Sequence, residues 1–335
     1  MNYKMVKKRT LSPLIDSQGH VIPGSLRVKE YTDINQCRQG IIIESEKPGK
    51  PVLLFIHGGP GLPAYPLMKK GGLRLEKYFT VCYWDQRGTG MSFVKKDGQE
   101  KVTVEQLLAD TIAVTDYLRD RFQQEKIYLF AHSWGTFLAT ITAGRYPERY
   151  HAYIGSGQIG NQVESEKETL SFLKRVARKK RDKQALKHME SLEIDTKYYQ
   201  NEKYEFVLRK YLMKYGGAMF RRQYSLIKLL AAYAVNDAYT FWEKVNIIRG
   251  MQISSPLLRH LAEIDLIAKV PVIHIPIYII QGLHDYQTTL QQAMAYYEHV
   301  EAPEKTFYTF ELSAHMPFIE EAERFERIIE QDILN

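Results

Sequence analysis

Three residue types that cooperate in acyl transfer occur along the chain in the order serine, acid, histidine. They are Ser133, Asp285 and His315, and each closely follows an apolar run that is typical of a buried strand. Because the carboxyl ends of parallel strands lie at one edge of a sheet, we expect the three side chains to converge there. In such a set the histidine takes the proton from the attacking serine, and the acid fixes the imidazole tautomer. The sequence therefore predicts a nucleophilic serine, with His284 as the alternative histidine beside Asp285.

The serine lies in the segment Ala131-His-Ser-Trp-Gly135, a pattern of small residues two positions before and two after Ser133. The apolar run at 127–131 suits a strand that is buried on both faces, and the spacing of apolar residues after Thr136 suits a helix. Small residues are needed because the strand-to-helix turn of a nucleophile elbow is sharp. The pattern therefore predicts that Ser133 lies at a helix N-terminus, where the helix dipole favours negative charge.

A second glycine-rich segment, His57-Gly-Gly-Pro-Gly61, follows the apolar run at 52–56. Glycines allow backbone N–H groups to approach a ligand closely, although a tight turn would also explain them. We expect an oxyanion to be held by the backbone N–H of Trp134 and by one N–H of this loop, that of Gly59. The spacing of the histidines matches no recognised ligand set, so no metal or other cofactor is expected.

The net charge of +7 is concentrated in one internal segment. Residues 160–270 contain 21 Lys and Arg against 13 Asp and Glu, whereas the remainder contains 25 against 26. Strand signals are few in this segment, so we expect a helical insertion at 159–270 that divides a core formed by 1–158 and 271–335. For the basic run 178–181 we favour a solvated helix face, with contact to phosphate or nucleic acid as the alternative.

Local patterns also predict where helices begin. Thr103-Val-Glu-Gln106 is typical of a capping box and predicts a helix before the serine strand. Ser165 and Glu168 have the same spacing and predict a helix start inside the insertion. Pro317 suits the first turn of a last helix after His315.

Composition limits the class of protein. At 335 residues, with 44% hydrophobic residues, the chain can form one large α/β domain with an insertion. No apolar run approaches the roughly 18 residues of a membrane helix, and segment 1–16 lacks the apolar core of a signal peptide. Cys37 and Cys82 indicate free thiols in a reducing compartment. We therefore expect a cytoplasmic protein with a small-molecule or short-peptide substrate, and neither a nucleic-acid nor a membrane partner.

Together these motifs resemble those of the α/β-hydrolase superfamily and, within it, the proline iminopeptidase (prolyl aminopeptidase) branch of serine hydrolases. The matching segments are His57–Gly61, Asp85–Gly88, the elbow at Ser133, Gly282-x-x-Asp285 and Ala314-His315. The resemblance covers roughly 50–158 and 271–335. It implies a mostly parallel sheet of eight strands, with helices on both faces and a helical cap inserted before the acid-bearing strand. It also implies a mainly structural role for the loop 85–88.

The leading hypothesis from this resemblance is an aminopeptidase of the proline iminopeptidase type that acts through an acyl-enzyme. Such enzymes hold the free amine of the substrate with cap carboxylates, in a segment resembling Trp-x-x-Trp-Glu. The partial match Phe241-Trp-Glu243 makes Glu243 the first candidate for substrate binding, followed by Glu164, Glu166 and Glu168. One triad would also serve an esterase, lactonase or amidase acting on a small metabolite, and a non-catalytic receptor of the same fold is the third hypothesis.

Overall fold

The structure is a computed structural model that describes residues 5–94, 102–220 and 226–334. In these residues one open sheet of nine strands has the order β1-β2-β3-β5-β4-β6-β7-β8-β9. Pairing is antiparallel from β1 to β5 along this order, and parallel from β5 to β9. The strands are β1 (Met5–Thr10), β2 (Leu26–Ile34), β3 (Cys37–Ser45), β4 (Val52–Ile56), β5 (Thr80–Trp84), β6 (Ile127–His132), β7 (Tyr150–Ser156), β8 (Ile277–Gly282) and β9 (Lys305–Phe310).

The described sheet has one strand more than the eight that the resemblance implies. The outermost strand, β1, pairs with β2, and all six of its residues are exposed. Its sequence, Met-Val-Lys-Lys-Arg-Thr, is basic rather than alternating. Charged residues on an edge strand prevent pairing with another chain, but they also remove the alternation by which a strand is recognised in a sequence.

Helices cover both faces of the sheet because both faces are apolar, as strand β4 illustrates. Alternate residues of this strand enter different hydrophobic clusters, with Leu54 on one face and Leu53 and Phe55 on the other. The strand is therefore a continuous apolar run, as parallel strands buried on both faces require. The helices that cover the two faces are α1 (Tyr65–Gly71), α2 (Val104–Phe122), α3 (Trp134–Arg145), α11 (Leu290–His299), α12 (Pro317–Glu320) and α13 (Ala322–Ile328), the last followed by a π-helical turn (Ile329–Ile333).

Between β7 and β8 the described residues form helices and no strand. These helices are α4 (Gln162–Lys179), α5 (Lys183–Glu190), α6 (Glu202–Tyr215), α7 (Leu226–Val235), α8 (Phe241–Ser254), α9 (Leu258–Glu263) and α10 (Leu266–Lys269). Helices α4 to α6 share a hydrophobic cluster of their own. By contrast, Tyr239, just before α8, and Ile247, within α8, belong to a hydrophobic cluster that also contains residues of the sheet. The second half of the insertion is thus anchored on the core.

Helix starts follow the sequence patterns in two of three cases. Thr103 caps α2 in the predicted capping box, and Pro317 is in the first turn of α12. The start predicted at Ser165 is wrong, because α4 begins three residues earlier with Asn161 as its N-cap. The Ser165 hydroxyl instead accepts a hydrogen bond from the backbone N–H of Thr289 at 3.0 Å.

Candidate active site

Ser133 lies in a strained turn between β6 and α3. Its φ of 53° and ψ of −124° lie in a region that residues with a side chain rarely adopt. The turn is held by the Ser133 N–H, which donates to the carbonyl of Ser156 at 2.9 Å, and by the Thr136 N–H, which donates to Ser133 at 2.7 Å. Gly135 has no space for a side chain, since a Cβ there would lie 2.2 Å from the Ile56 carbonyl oxygen. The small residue at this position is therefore required by the backbone of β4.

Asp285 and His315 form a buried, hydrogen-bonded pair. The Oδ2 atom of Asp285 lies 2.9 Å from Nδ1 of His315, and the two residues follow β8 and β9. Backbone N–H groups of Gln287 and Thr288 donate to Oδ1 of Asp285 at 2.8 and 3.1 Å. These donors hold the carboxylate in one orientation. Nδ1 is thus the ring nitrogen by which His315 meets the carboxylate.

Two further side chains complete this arrangement, and sequence reasoning missed both. The Thr288 hydroxyl donates to Oδ2 of Asp285 at 3.0 Å and lies 3.4 Å from Nδ1 of His315. The Gln281 amide nitrogen donates to the same Oδ2 at 2.9 Å and to the Thr288 carbonyl at 2.6 Å. Asp285 and Thr288 have the spacing of an Asx-type turn, and this spacing is the only local pattern from which the role of Thr288 could have been predicted.

Two residues, Thr288 and His132, connect the surroundings of Ser133 with the pair. Thr288, which contacts both members of the pair, lines the same cavity as Ser133. His132, the neighbour of Ser133, packs its ring 4.6 Å from that of His315, and its Nε2 lies 2.9 Å from the His315 carbonyl oxygen. Burial and the neighbouring His315 ring lower the pKa of His132 well below its usual range, so it stays neutral. The alternative histidine, His284, stacks on Phe220 with ring centroids 4.0 Å apart.

The glycine-rich loop approaches the serine from β4. Gly59 and Trp134 line the cavity together with Ser133. The Trp134 N–H is the first of helix α3, so it has no acceptor within the helix. Gly59 has a φ of 119°, which residues with a side chain rarely adopt. Both residues therefore line the cavity of Ser133, and their role as an oxyanion site stays a prediction.

Helix α8 of the insertion packs directly on this loop. A Cβ at Gly61 would lie 2.7 Å from the Gly250 carbonyl oxygen, and a Cβ at Gly250 would lie 2.3 Å from Oγ1 of Thr89. The Thr89 hydroxyl in turn donates to the Gly61 carbonyl at 2.7 Å. Glycine in the middle of a helix costs about 1 kcal/mol relative to alanine. Glycine is needed at 250 because α8 packs there closely against Thr89 and the loop at Gly61.

The segment 85–88 supports the same loop. Asp85 is buried, and its carboxylate accepts hydrogen bonds from the Met91 N–H at 2.8 Å and the Tyr239 hydroxyl at 2.7 Å. Burial raises the pKa of Asp85 to about 7, although these hydrogen bonds oppose the shift. The Gln86 side chain donates to the His57 carbonyl at 2.8 Å. These hydrogen bonds join segments of the fold to one another, which agrees with the structural role that the resemblance implies for 85–88.

The cavity at Ser133 has a volume of about 400 Å³, enough for a small organic substrate. It contains one buried carboxylate, that of Glu166 on α4, which is 8% exposed. Glu166 accepts hydrogen bonds from the Tyr204 hydroxyl and, at 2.8 Å, from the Gln162 amide. The lining residues come from the sheet edge and from the insertion: Gly59, Ser133, Trp134, Ile159, Gln162, Glu166, Tyr198, Tyr199, Asn201, Tyr204, Leu208, Arg209, Leu212, Ser255, Pro256, Leu258, Leu261, Gln287 and Thr288.

Glu243, the first candidate from the sequence, lies outside the lining of this cavity. Its carboxylate accepts from Nζ of Lys29 at 2.5 Å, from the Tyr31 hydroxyl, and from the Thr240 N–H at 2.7 Å. Burial opposes the ionisation of Glu243, but the bonds from Lys29 and Tyr31 outweigh it and lower its pKa. Glu243 therefore joins the insertion to β2 and caps α8 rather than facing Ser133.

The comparison with known proteins agrees with this architecture. A family model described as the alpha/beta hydrolase fold matches residues 51–322. The chain belongs to the α/β-hydrolase family. The family and fold predicted from the motifs are thereby confirmed, and this hydrolase carries the elbow at Ser133 directly after the strand β6.

None of its helices within 5–94, 102–220 and 226–334 has the length and apolar character needed to cross a membrane.

Its relatives include named peptidases. The hydrolase is 30% identical over 303 residues to a probable aminopeptidase, YbaC, of Bacillus subtilis, a match covering 90% of this chain and 94% of the relative. It is 25% identical over 284 residues to a proline iminopeptidase of Thermoplasma volcanium, covering 85% and 89%. A crystal structure of a Mycobacterium smegmatis proline iminopeptidase has a TM-score of 0.63 at 17% identity, covering 90% and 96%, and so has the same fold.

Proposed function

We propose that this hydrolase is a serine aminopeptidase that acts through an acyl-enzyme, with Ser133 as nucleophile. His315 takes the proton from the Ser133 hydroxyl as its oxygen attacks the substrate carbonyl, and Asp285 stabilises the imidazolium that results. The tetrahedral oxyanion accepts hydrogen bonds from the N–H groups of Gly59 and Trp134. His315 then gives the proton to the leaving amine, the C–N bond breaks, and water releases the acyl group by the same steps. The hydrogen-bonded pair of Asp285 and His315 beside the strained Ser133 supports this chemistry.

The peptidase specificity rests on one observation, the buried carboxylate of Glu166 in the cavity of Ser133. A protonated amine loses much free energy when it leaves water unless a charged partner meets it. Glu166 supplies that partner, with Tyr204 and Gln162 holding the carboxylate in place. The free amine of an N-terminal residue, proline among them, would bind there while its carbonyl meets Ser133. The aminopeptidase names of the relatives support the same substrate class.

The nucleophile is tested by labelling with a fluorophosphonate, which reacts covalently with activated serines. We expect labelling of the wild-type protein at neutral pH and none of Ser133→Ala. A variant of a serine outside the cavity, Ser191→Ala, should label as the wild type does. Labelling of folded Ser133→Ala at the wild-type rate would refute the assignment.

The amine site is tested with prolyl and alanyl p-nitroanilides, free and N-acetylated. Acetylation should abolish cleavage, and Glu166→Gln should raise KM for the free amines by about tenfold to a hundredfold, the usual effect of losing a charged hydrogen bond. Glu164→Gln is the matched control, two residues earlier on α4, because its side chain is 50% exposed and pairs with Lys167. Equal cleavage of free and blocked substrates, with Glu166→Gln unchanged, would favour the esterase, lactonase or amidase hypothesis.

A further inference from the structure

The positive charge of the chain is concentrated in the hairpin formed by α4 and α5. Residues 174–187 contain eight Lys and Arg and a single acid, Asp182, which gives this segment a charge of +7. The whole chain also has a net charge of +7, so the remaining residues sum to zero. Eight cations in fourteen residues repel one another, and this repulsion destabilises the fold.

These cations form no ion pair with the part of the chain that the structure describes. In the described residues, none of the eight lies within ion-pair distance of a carboxylate. The one acid of the segment, Asp182, is engaged elsewhere: it caps α5 and accepts from Lys214 at 2.7 Å and from the Tyr215 hydroxyl at 2.8 Å. Both partners belong to α6. The hairpin therefore presents cationic charge that the protein itself does not neutralise.

The cations are not needed to satisfy the backbone carbonyl groups at the C-terminal end of α4. The Asp182 N–H donates to the Ala177 carbonyl at 2.9 Å, and the Lys180 N–H donates to Val176 at 2.9 Å, so the backbone itself satisfies carbonyls at the helix end. The residue in the left-handed conformation of this turn is Arg181, with a φ of 52°. Glycine or asparagine is favoured at such a position. An arginine there adds charge at a conformational cost.

Four of these cationic side chains line a groove between α4 and α5. Lys174 and Arg178 are one turn apart on α4, and Lys183 and Lys187 are one turn apart on α5. The groove has a volume of about 560 Å³. Its lining is Lys174, Arg178, Lys183, Leu186, Lys187 and Glu190, so four cations face one carboxylate. Two rows of cations across a concave surface match a ligand with several negative charges close together.

We propose that this groove binds a small soluble polyanion that carries clustered phosphate groups, such as an oligophosphate or a nucleoside polyphosphate. Lysine and arginine hold phosphate oxygens by charge-assisted hydrogen bonds. A single-stranded nucleic acid would call for aromatic side chains on which bases stack, and the groove has none. A membrane surface would call for large exposed apolar residues, which residues 174–190 lack. The site is independent of the proposed peptidase activity.

The probe is inorganic tripolyphosphate, titrated calorimetrically into the full chain at physiological ionic strength. We expect saturable binding that is at least about tenfold tighter than that of inorganic monophosphate, since several phosphates contact several cations. Arg178→Gln/Lys183→Gln should weaken tripolyphosphate binding by about tenfold or more. The matched control is Lys203→Gln/Lys210→Gln, which removes two exposed cations from α6 and should leave binding unchanged.

Three results would overturn the proposal. The first is the absence of saturable tripolyphosphate binding to the wild-type protein. The second is equal weakening by the control pair, which would indicate a general charge effect. The third is tighter, groove-dependent binding of duplex DNA or of phosphatidylserine vesicles, which would assign the hairpin to a macromolecule or a membrane. Unfolding curves of both double variants verify that the fold is retained.

Discussion

Gly135→Ala is the substitution for which the structure gives the clearest magnitude. An ideal Cβ at 135 would lie 2.2 Å from the Ile56 carbonyl oxygen and 2.9 Å from that of His57, whereas ordinary contacts begin at 3.4 Å. Both oxygens belong to the backbone, so the clash cannot be relieved by a side-chain rotation. The N-terminus of α3 must move by about 1 Å, and forced overpacking of this kind costs about 1–3 kcal/mol.

The same displacement moves Ser133 and the N–H of Trp134 relative to His315. A shift of about 1 Å in reacting groups lowers rates by about a hundredfold. Two measurements test this: the free energy of unfolding in urea, and the second-order rate of fluorophosphonate labelling. We expect Gly135→Ala to lower the first by about 2 kcal/mol and the second by about a hundredfold.

Gly144→Ala is the control on the same helix. Its Cβ would meet Cγ1 of Val270 at 2.7 Å, a side-chain atom rather than a backbone atom, and it lies at the far end of α3 from Ser133. Labelling of this variant should proceed at the wild-type rate. If Gly135→Ala also labels and unfolds like the wild type, the backbone contact does not fix the elbow and the reasoning fails.

Three further substitutions test the surroundings of the site. Asp285→Asn should slow labelling by about 10⁴-fold, as in well-studied triads, because an amide favours the wrong tautomer of His315. Burial lowers the pKa of His57 to about 4, against 6.5 when unfolded, so stability is lost as the pH falls from 6.5 to 4. His57→Gln should remove about 2 kcal/mol of that loss, measured by urea unfolding at pH 7 and 4.5. Glu243→Gln should lower the free energy of unfolding by about 3 kcal/mol, because it leaves buried Lys29 without its carboxylate, and should spare KM.

Each of these predictions has an outcome that would contradict it, and Glu243→Gln also has a control. A His57→Gln variant that loses as much stability as the wild type between pH 7 and 4.5 would contradict the assignment to His57. Glu263→Gln, at an exposed glutamate of α9, should cost little stability, since surface ion pairs contribute about 1 kcal/mol or less. A Glu243→Gln variant with wild-type stability and a raised KM would restore Glu243 as the amine-binding residue. Unchanged labelling of Asp285→Asn would exclude the relay.

Local sequence patterns were sufficient for the elements that carry the site. Ser133 is predicted from a buried strand, small flanking residues and a helix, all within about ten positions of the chain. Asp285 and His315 are predicted because each follows a strand of one parallel sheet, and the carboxyl ends of such strands share one edge. The capping box at Thr103 is likewise a local interaction. These features depend on neighbours in the sequence, and a sequence displays such neighbours directly.

The proposal of Glu166 rather than Glu243 as the amine-binding residue depends on tertiary structure. Both are glutamates of a basic, helical insertion. What separates them is their partners: Glu243 meets Lys29, which is 214 positions away on β2, whereas Glu166 faces the cavity of Ser133. A carboxylate binds a ligand or stabilises the fold according to which charges and donors surround it, and those surroundings exist only once distant segments have packed together.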